Sequence, residues 1–113
     1  MKYTHHVNSG VLVLQFEGDL IGEEHGPEIV GLINDQINEK VALCAIDISK
    51  VRYINSNGIG VLITVLTKFR NKGGEVVLVN PSEHVKKLLI ITKLDKIFTI
   101  MPSEAEAIKA LTK

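Results

Sequence analysis

The chain predicts an α/β fold: a mixed, mostly parallel β-sheet and four helices, in the order β-β-α-β-α-β-α-β-α. Three observations point there. Short unbroken apolar runs, Val11–Leu14 and Val76–Val79 the plainest, have the length and branching of strands buried on both faces. Longer segments between such runs repeat their apolar residues every three or four positions, which is one face of a helix. Strand alternating with helix is the pattern of parallel strands joined by right-handed crossovers. The 113 residues are expected to form one domain, 1–113, large enough for one hydrophobic core.

Tyr3–Val7 and Val11–Phe16 read as strands, and Asn8-Ser9-Gly10 between them as a tight hairpin turn. The second strand is expected to be covered on both faces, the first to lie nearer the edge. Gly18-Asp19 closes this unit. Glu24–Lys40 reads as the first helix, reliable from Pro27, because proline is tolerated in a first turn. Ile29, Leu32, Ile33 and Ile37 share its inner face. Val41–Ile48 is the central strand, with Asp47 near its C-terminal end, where α/β sheets gather ligand and partner sites. Ser49–Asn55 is expected to be a short connection. Ser56–Asn71 is the second helix. Ile59, Leu62, Ile63, Leu66 and Phe69 form its core stripe, and Asn57, Gly60, Val61, Thr64, Lys68 and Asn71 a second, mixed face. Gly73-Gly74 ends it. Glu75–Asn80 is the next strand. Pro81-Ser82 starts a third helix with Val85, Leu88, Leu89 and Thr92 on one side, and Ile97–Ile100 is a short strand. Ser103 with Glu106 three residues on forms a capping box for a last helix that turns Ala107, Ile108 and Leu111 inward.

Composition narrows the function. Thirteen Lys and Arg balance thirteen Asp and Glu, and aromatics make up 4% of the chain. There is no basic stripe for a phosphate backbone and no stacking platform for bases, so direct nucleic-acid binding is not expected. His5 and His6 are adjacent in a strand and point to opposite faces, and no His-x-x-x-His or cysteine pair occurs, so neither metal nor cofactor is expected. Cys44 is the single cysteine and reads as a buried, inert thiol, in keeping with a reducing compartment. Met1–His6 has no apolar signal core, and no apolar run reaches the length of a membrane span. The expectation is a cytoplasmic protein without membrane insertion.

The distinctive stretch is Asn55-Ser56-Asn57-Gly58-Ile59-Gly60, at a strand-to-helix junction. Ser56 stands where the helix begins. There it reads either as the cap of the helix or as an exposed hydroxyl at the positive end of a dipole. A nucleophile elbow needs Gly-x-Ser-x-Gly, and Ile54 stands where the first glycine belongs. His25 and His84 both read as surface residues at helix starts, with nothing to bring either to Ser56, so no catalytic residue is assigned. No Walker-type loop occurs, although Gly58 and Gly60 could present backbone N–H groups to an anion. Each glycine inside a helix costs about 0.8–1 kcal/mol against alanine. Close approach of other atoms explains such a cost: the sheet beneath, or a partner or phosphate above.

Asp47-Ile48-Ser49 followed by Tyr53-Ile54-Asn55-Ser56-Asn57-Gly58-Ile59-Gly60 resembles the signature of the STAS domain of bacterial anti-sigma factor antagonists. That pattern is Asp-Leu-Ser, then an apolar residue before Asp-Ser-Ser/Thr-Gly-Leu-Gly. Asn80-Pro81, Val85, Leu89 and Leu94-Asp95-Lys96-Ile97-Phe98 match its later half, and Gly18-Asp19 matches more loosely. Two positions depart: Asn55 replaces the aspartate, and Asn57 the second hydroxyl residue. The resemblance implies a non-enzymatic binding module whose Ser56 is phosphorylated by a serine protein kinase that doubles as the anti-sigma factor. The unphosphorylated form binds that kinase and frees the sigma factor, and a PP2C-type phosphatase restores it. The partner surface implied is Asp47, Asn55, Asn57, Gly58, Gly60, Val61, Thr64 and Lys68. Two other readings remain open: a STAS subunit of a lipid-transport ATPase or signalling assembly without a phosphorylation cycle, and nucleotide binding at the glycines.

Overall fold

Ser9 and Gly10 both take positive φ, 55° and 78°, as the two central residues of a type I′ hairpin turn do. Strands β1 (Lys2–Asn8) and β2 (Val11–Leu20) accordingly pair antiparallel, in unbroken register from Asn8 opposite Val11 to Lys2 opposite Glu17. The structure, a computed structural model, describes residues 2–20 and 26–112. Within them follow α1 (Gly26–Asn38), β3 (Leu43–Ile54), α2 (Ser56–Arg70), β4 (Glu75–Val79) and α3 (Glu83–Ile91). A 3-10 turn (Leu94–Lys96), β5 (Thr99–Met101) and α4 (Glu104–Leu111) complete the order. The sheet runs β1-β2-β3-β4-β5 in space, antiparallel at β1–β2 and parallel thereafter.

Helices cover both faces of the sheet, which is why its strands read as continuous apolar runs. Leu12 and Leu14 of β2, Cys44 and Ile46 of β3, and Val76 and Leu78 of β4 point to one side. There they pack with Ile29 and Ile33 of α1, Leu62, Leu66 and Phe69 of α2, and Val85 and Leu89 of α3. The alternate residues Val11, Ala45, Val77 and Val79 meet Ala107, Ile108 and Leu111 of α4 on the other side. Val11, Leu12, Val13 and Leu14 are all fully buried, whereas β1 is exposed along nearly its whole length. Ser103 caps α4 by accepting the Glu106 N–H at 3.2 Å.

The structure corrects several boundaries. Gly18-Asp19 does not close the first unit, because β2 runs on to Leu20 with Gly18 at a positive φ of 94°. Ser49–Asn55 is not a connection: β3 continues to Ile54. Two register shifts against β2 let its extra residues bulge while Ile48, Val51 and Ile54 still reach the core. Ile63 lies on the exposed side of α2 and Val65 takes its place in the core, a slight rotation of a stripe that keeps Leu62, Leu66 and Phe69. α3 starts at Glu83, with Ser82 as its cap, and Thr92 caps the other end from the surface instead of packing inward. Ile97 and Phe98 follow the 3-10 turn before β5 begins at Thr99, because the chain must reverse there before it can pair with β4. Glu24 and His25, assigned to the first helix from the sequence, lie outside the described residues.

Cys44 is fully buried between β2 and β4, and that burial pushes its thiol well above the ordinary cysteine range. The thiol should stay unmodified by a thiol-specific reagent in the native protein at mildly alkaline pH, and react fully once denaturant is added. Rapid labelling of the native protein would contradict this packing.

Candidate functional site

Asn55, not Ser56, caps α2. Its backbone is extended, and its side-chain Oδ1 accepts the Gly58 N–H at 2.8 Å. Its carbonyl accepts the Ile59 N–H at 2.9 Å. The expectation that Ser56 caps the helix is therefore overturned. Asn at N-cap competes on equal terms with Ser, and one residue earlier it meets the geometry first. Ser56 becomes the first helical residue and is exposed, beside exposed Asn57. No acidic side chain stands in the first turn of α2, while Lys68 and Arg70 stand in its last. Negative charge introduced at Ser56 would thus meet the helix dipole without an opposing carboxylate on its own turn.

The two glycines have separate causes. A Cβ on Gly58 would be driven into the backbone carbonyl of Leu20, the last residue of β2. The same carbonyl accepts the Asn55 N–H at 3.3 Å. Gly58 is therefore buried against the sheet, and the sheet explains it. A Cβ on Gly60 would meet nothing within 4 Å, and Gly60 is exposed. Packing among the described residues does not account for it.

Around Gly60 the predicted face is assembled in part. Asn57 and Gly60 are exposed, and Val61, Thr64 and Lys68 half-buried along the same side of α2. The Thr64 hydroxyl donates back to the Gly60 carbonyl at 2.8 Å, so it offers chiefly its methyl group and lone pairs outward. Asp47 does not join this group. It pairs in register with Gln15 and Val79, on the α4 side of the sheet, while α2 covers the opposite side. Six residues of β3 separate it from Ile54, about 20 Å of strand. The Asp47 carboxylate is instead occupied locally. It accepts the Ser49 N–H at 2.9 Å, the Ser49 hydroxyl at 2.7 Å and the Gln15 amide at 3.2 Å. Asp47-Ile48-Ser49 is thus the clasp of the first β3 bulge.

Sequence reasoning missed one contact beside the site. The ring of Tyr53, exposed at the end of β3, stacks on His84 in the first turn of α3, with centroids 6.4 Å apart. Nothing local in the sequence signals it, since it joins residues of two elements that only the sheet brings together. Among the clefts of the described surface are these three. One of about 80 Å³ involves Tyr3, Gln15, Asp47 and Ser49. The others lie at Lys2, Glu17 and Arg52 and at Ile37, Val41 and Lys72. Residues 55–60 line none of these three. Among the described residues no group of three metal-ligating side chains forms.

Comparison with known proteins gives the family and the fold. The chain belongs to the STAS domain family, which it matches over residues 3–107. A TM1081 homologue of Thermotoga neapolitana is 37% identical over 62 residues, 55% of each chain, so the match spans about half the length of that relative. The anti-sigma F factor antagonist of Paenibacillus polymyxa is 26% identical over 98% of this chain and 93% of its own. The crystal structure of TM1081 from Thermotoga maritima superposes with a TM-score of 0.87 at 25% identity, covering 98% of this chain and 95% of that one. SpoIIAA of Bacillus, solved in its phosphorylated form, shares the fold with a TM-score of 0.75 at 19% identity, over 96% of this chain and 98% of its own.

The helix start makes two contrasts measurable by urea unfolding. Gly58→Ala should destabilise by about 1–3 kcal/mol through the forced contact with Leu20, whereas Gly60→Ala should stabilise by about 0.8–1 kcal/mol. Asn55→Ala should cost about 1 kcal/mol and Asn55→Asp almost nothing, because aspartate caps as well as asparagine. Equal losses for both Asn55 substitutions would remove the capping role.

Proposed function

We propose that the chain is a cytoplasmic anti-sigma factor antagonist, a single STAS module that binds an anti-sigma factor with serine protein kinase activity and is released by phosphorylation at Ser56. The observation that carries this reading is the division of labour at the start of α2. Asn55 does the capping, so the Ser56 hydroxyl has no structural duty there and stands exposed at a helix N-terminus free of acidic residues. The anti-sigma F factor antagonist among its relatives and the phosphorylated SpoIIAA among its structural neighbours support the same reading.

The physics of the switch follows from that position. A phosphoserine brings about −1.5 to −2 charges at neutral pH. At the positive end of α2 that charge sits without penalty inside the protein. Its effect falls on the interface, where a bulky anion stands next to Gly60, the one point at which the helix surface is bare enough for a partner's backbone to approach. Asn57, Val61, Thr64 and Lys68 continue the contact along α2. Asn55 supplies the cap that holds the Ser56 loop, and Gly58 lets that loop rest on β2. A PP2C-type phosphatase would return the protein to its binding form.

Incubation with ATP and the cognate anti-sigma factor kinase, followed by intact-mass measurement and site mapping, should place one phosphate on Ser56. Ser56→Ala should keep its affinity for the kinase, Ser56→Asp should lose at least tenfold, and both should unfold within a few degrees of the parent. Equal affinity of the two variants would end the switch reading, and phosphate found only elsewhere would end the site assignment.

A further inference from the structure

The C-terminal end of α3 carries an unusual surface. Ile90 and Ile91 are 56% and 75% exposed, and Ile97, just past the 3-10 turn, is 39% exposed. With Val85 and Leu89 turned inward, Ile90 and Ile91 flank the outward direction of the helix, and Lys87 projects between them from one turn earlier. Lys93 then takes a left-handed conformation, φ 63°, and folds the chain into the 3-10 turn. That reversal gathers Lys93, Lys96 and Ile97 against the helix end. Lys86, Lys87, Lys93 and Lys96 are all exposed. Two carboxylates answer them: Glu83, 3.6 Å from Lys86, and Asp95, half-buried in the turn. Lys87, Lys93 and Lys96 stand around the isoleucines with positive charge in excess, in a chain whose formal net charge is zero.

Exposed isoleucine ringed by lysine is the chemistry of a surface that dips its apolar side chains into a headgroup layer while ammonium groups meet lipid phosphates. The excess of lysine over carboxylate at this corner favours a surface of lipid phosphates. A shallow bilayer contact needs only a few apolar side chains when cations reinforce it. The position also suits such a contact. The end of α2 reaches this corner, where Arg70 Nη2 donates to the Ile97 carbonyl at 3.0 Å. Ser56 begins the same helix, about 21 Å away along its axis. A domain resting on this corner would keep the Ser56 end clear of the surface. Docking of this kind is peripheral, and no helix among the described residues is long and apolar enough to cross a membrane.

We propose that the α3 corner, where Ile90, Ile91 and Ile97 stand among Lys87, Lys93 and Lys96, docks this domain reversibly on the surface of an anionic lipid bilayer. The inference is independent of the switch at Ser56. It is tested by co-sedimentation of the whole chain with vesicles of phosphatidylcholine alone and of phosphatidylcholine mixed with phosphatidylglycerol. The expected result is binding to the anionic vesicles at least tenfold stronger than to the neutral ones, weakening as salt is raised. Ile90→Ser with Ile91→Ser should lose most of it, and so should Lys87→Glu with Lys93→Glu. All four positions are exposed, and unchanged unfolding curves will show that both variants fold. No binding to anionic vesicles, or binding that neither variant reduces, would overturn the proposal. Binding of an acidic amphipathic peptide at this corner without any vesicle binding would overturn it in favour of a protein partner.

Discussion

The contact between Gly58 and the Leu20 carbonyl is the constraint on which the rest of the site depends. It sets the start of α2 directly on the end of β2, with no room for a side chain between them. The Asn55 N–H closes onto the same carbonyl, and the Asn55 side chain turns back to cap Gly58. One carbonyl therefore fixes the junction from two directions. The residue held between Asn55 and Gly58 that is left without a packing duty is Ser56, and it is pushed outward.

The far end of α2 is held by the same device. A Cβ on Gly74 would collide with the Ala42 carbonyl, and Ala42 also accepts the Glu75 N–H as β4 begins. α2 is thus seated closely on β2 at its start, and the turn that follows it rests on the Ala42 carbonyl just before β3. This matters for a surface read by a partner, because the exposed side of α2 is then presented at a set angle. It also explains why these glycines differ in kind. Gly58 and Gly74 are required by the sheet, whereas Gly60 lies over open space and loses helix stability without any return inside the chain.

Two ends of one domain thus acquire different characters. At the end where the parallel strands finish, Ser56, Asn57 and the Tyr53–His84 stack form a polar and aromatic surface with no carboxylate in the first turn of α2. At the other end, the turn after α3 exposes isoleucine among lysines. α2 connects them as a rigid strut, so that contacts at one end need not obstruct the other.

Much of this was legible in the chain itself. Unbroken apolar runs meant strands covered on both faces, because a half-exposed strand would alternate. Periodicity located the helices, and Ser103 with Glu106 marked the start of the last one, because capping and periodicity are local and need only neighbours in sequence. The motif around Ser56 was legible for the same reason. What depends on contact between distant segments was not. Which residue caps α2 was decided by Leu20, thirty-five residues before Asn55. The length of β3 was decided by its pairing with an extended β2, which turned an expected loop into strand and moved Asp47 away from Ser56 to the opposite face. The exposure of Ile63 and burial of Val65 followed from the angle at which the sheet holds α2. Sequence alone determined the elements and the position of the exposed serine. The tertiary structure decided why it is exposed, because that depends on a carbonyl from another strand arriving where only glycine fits.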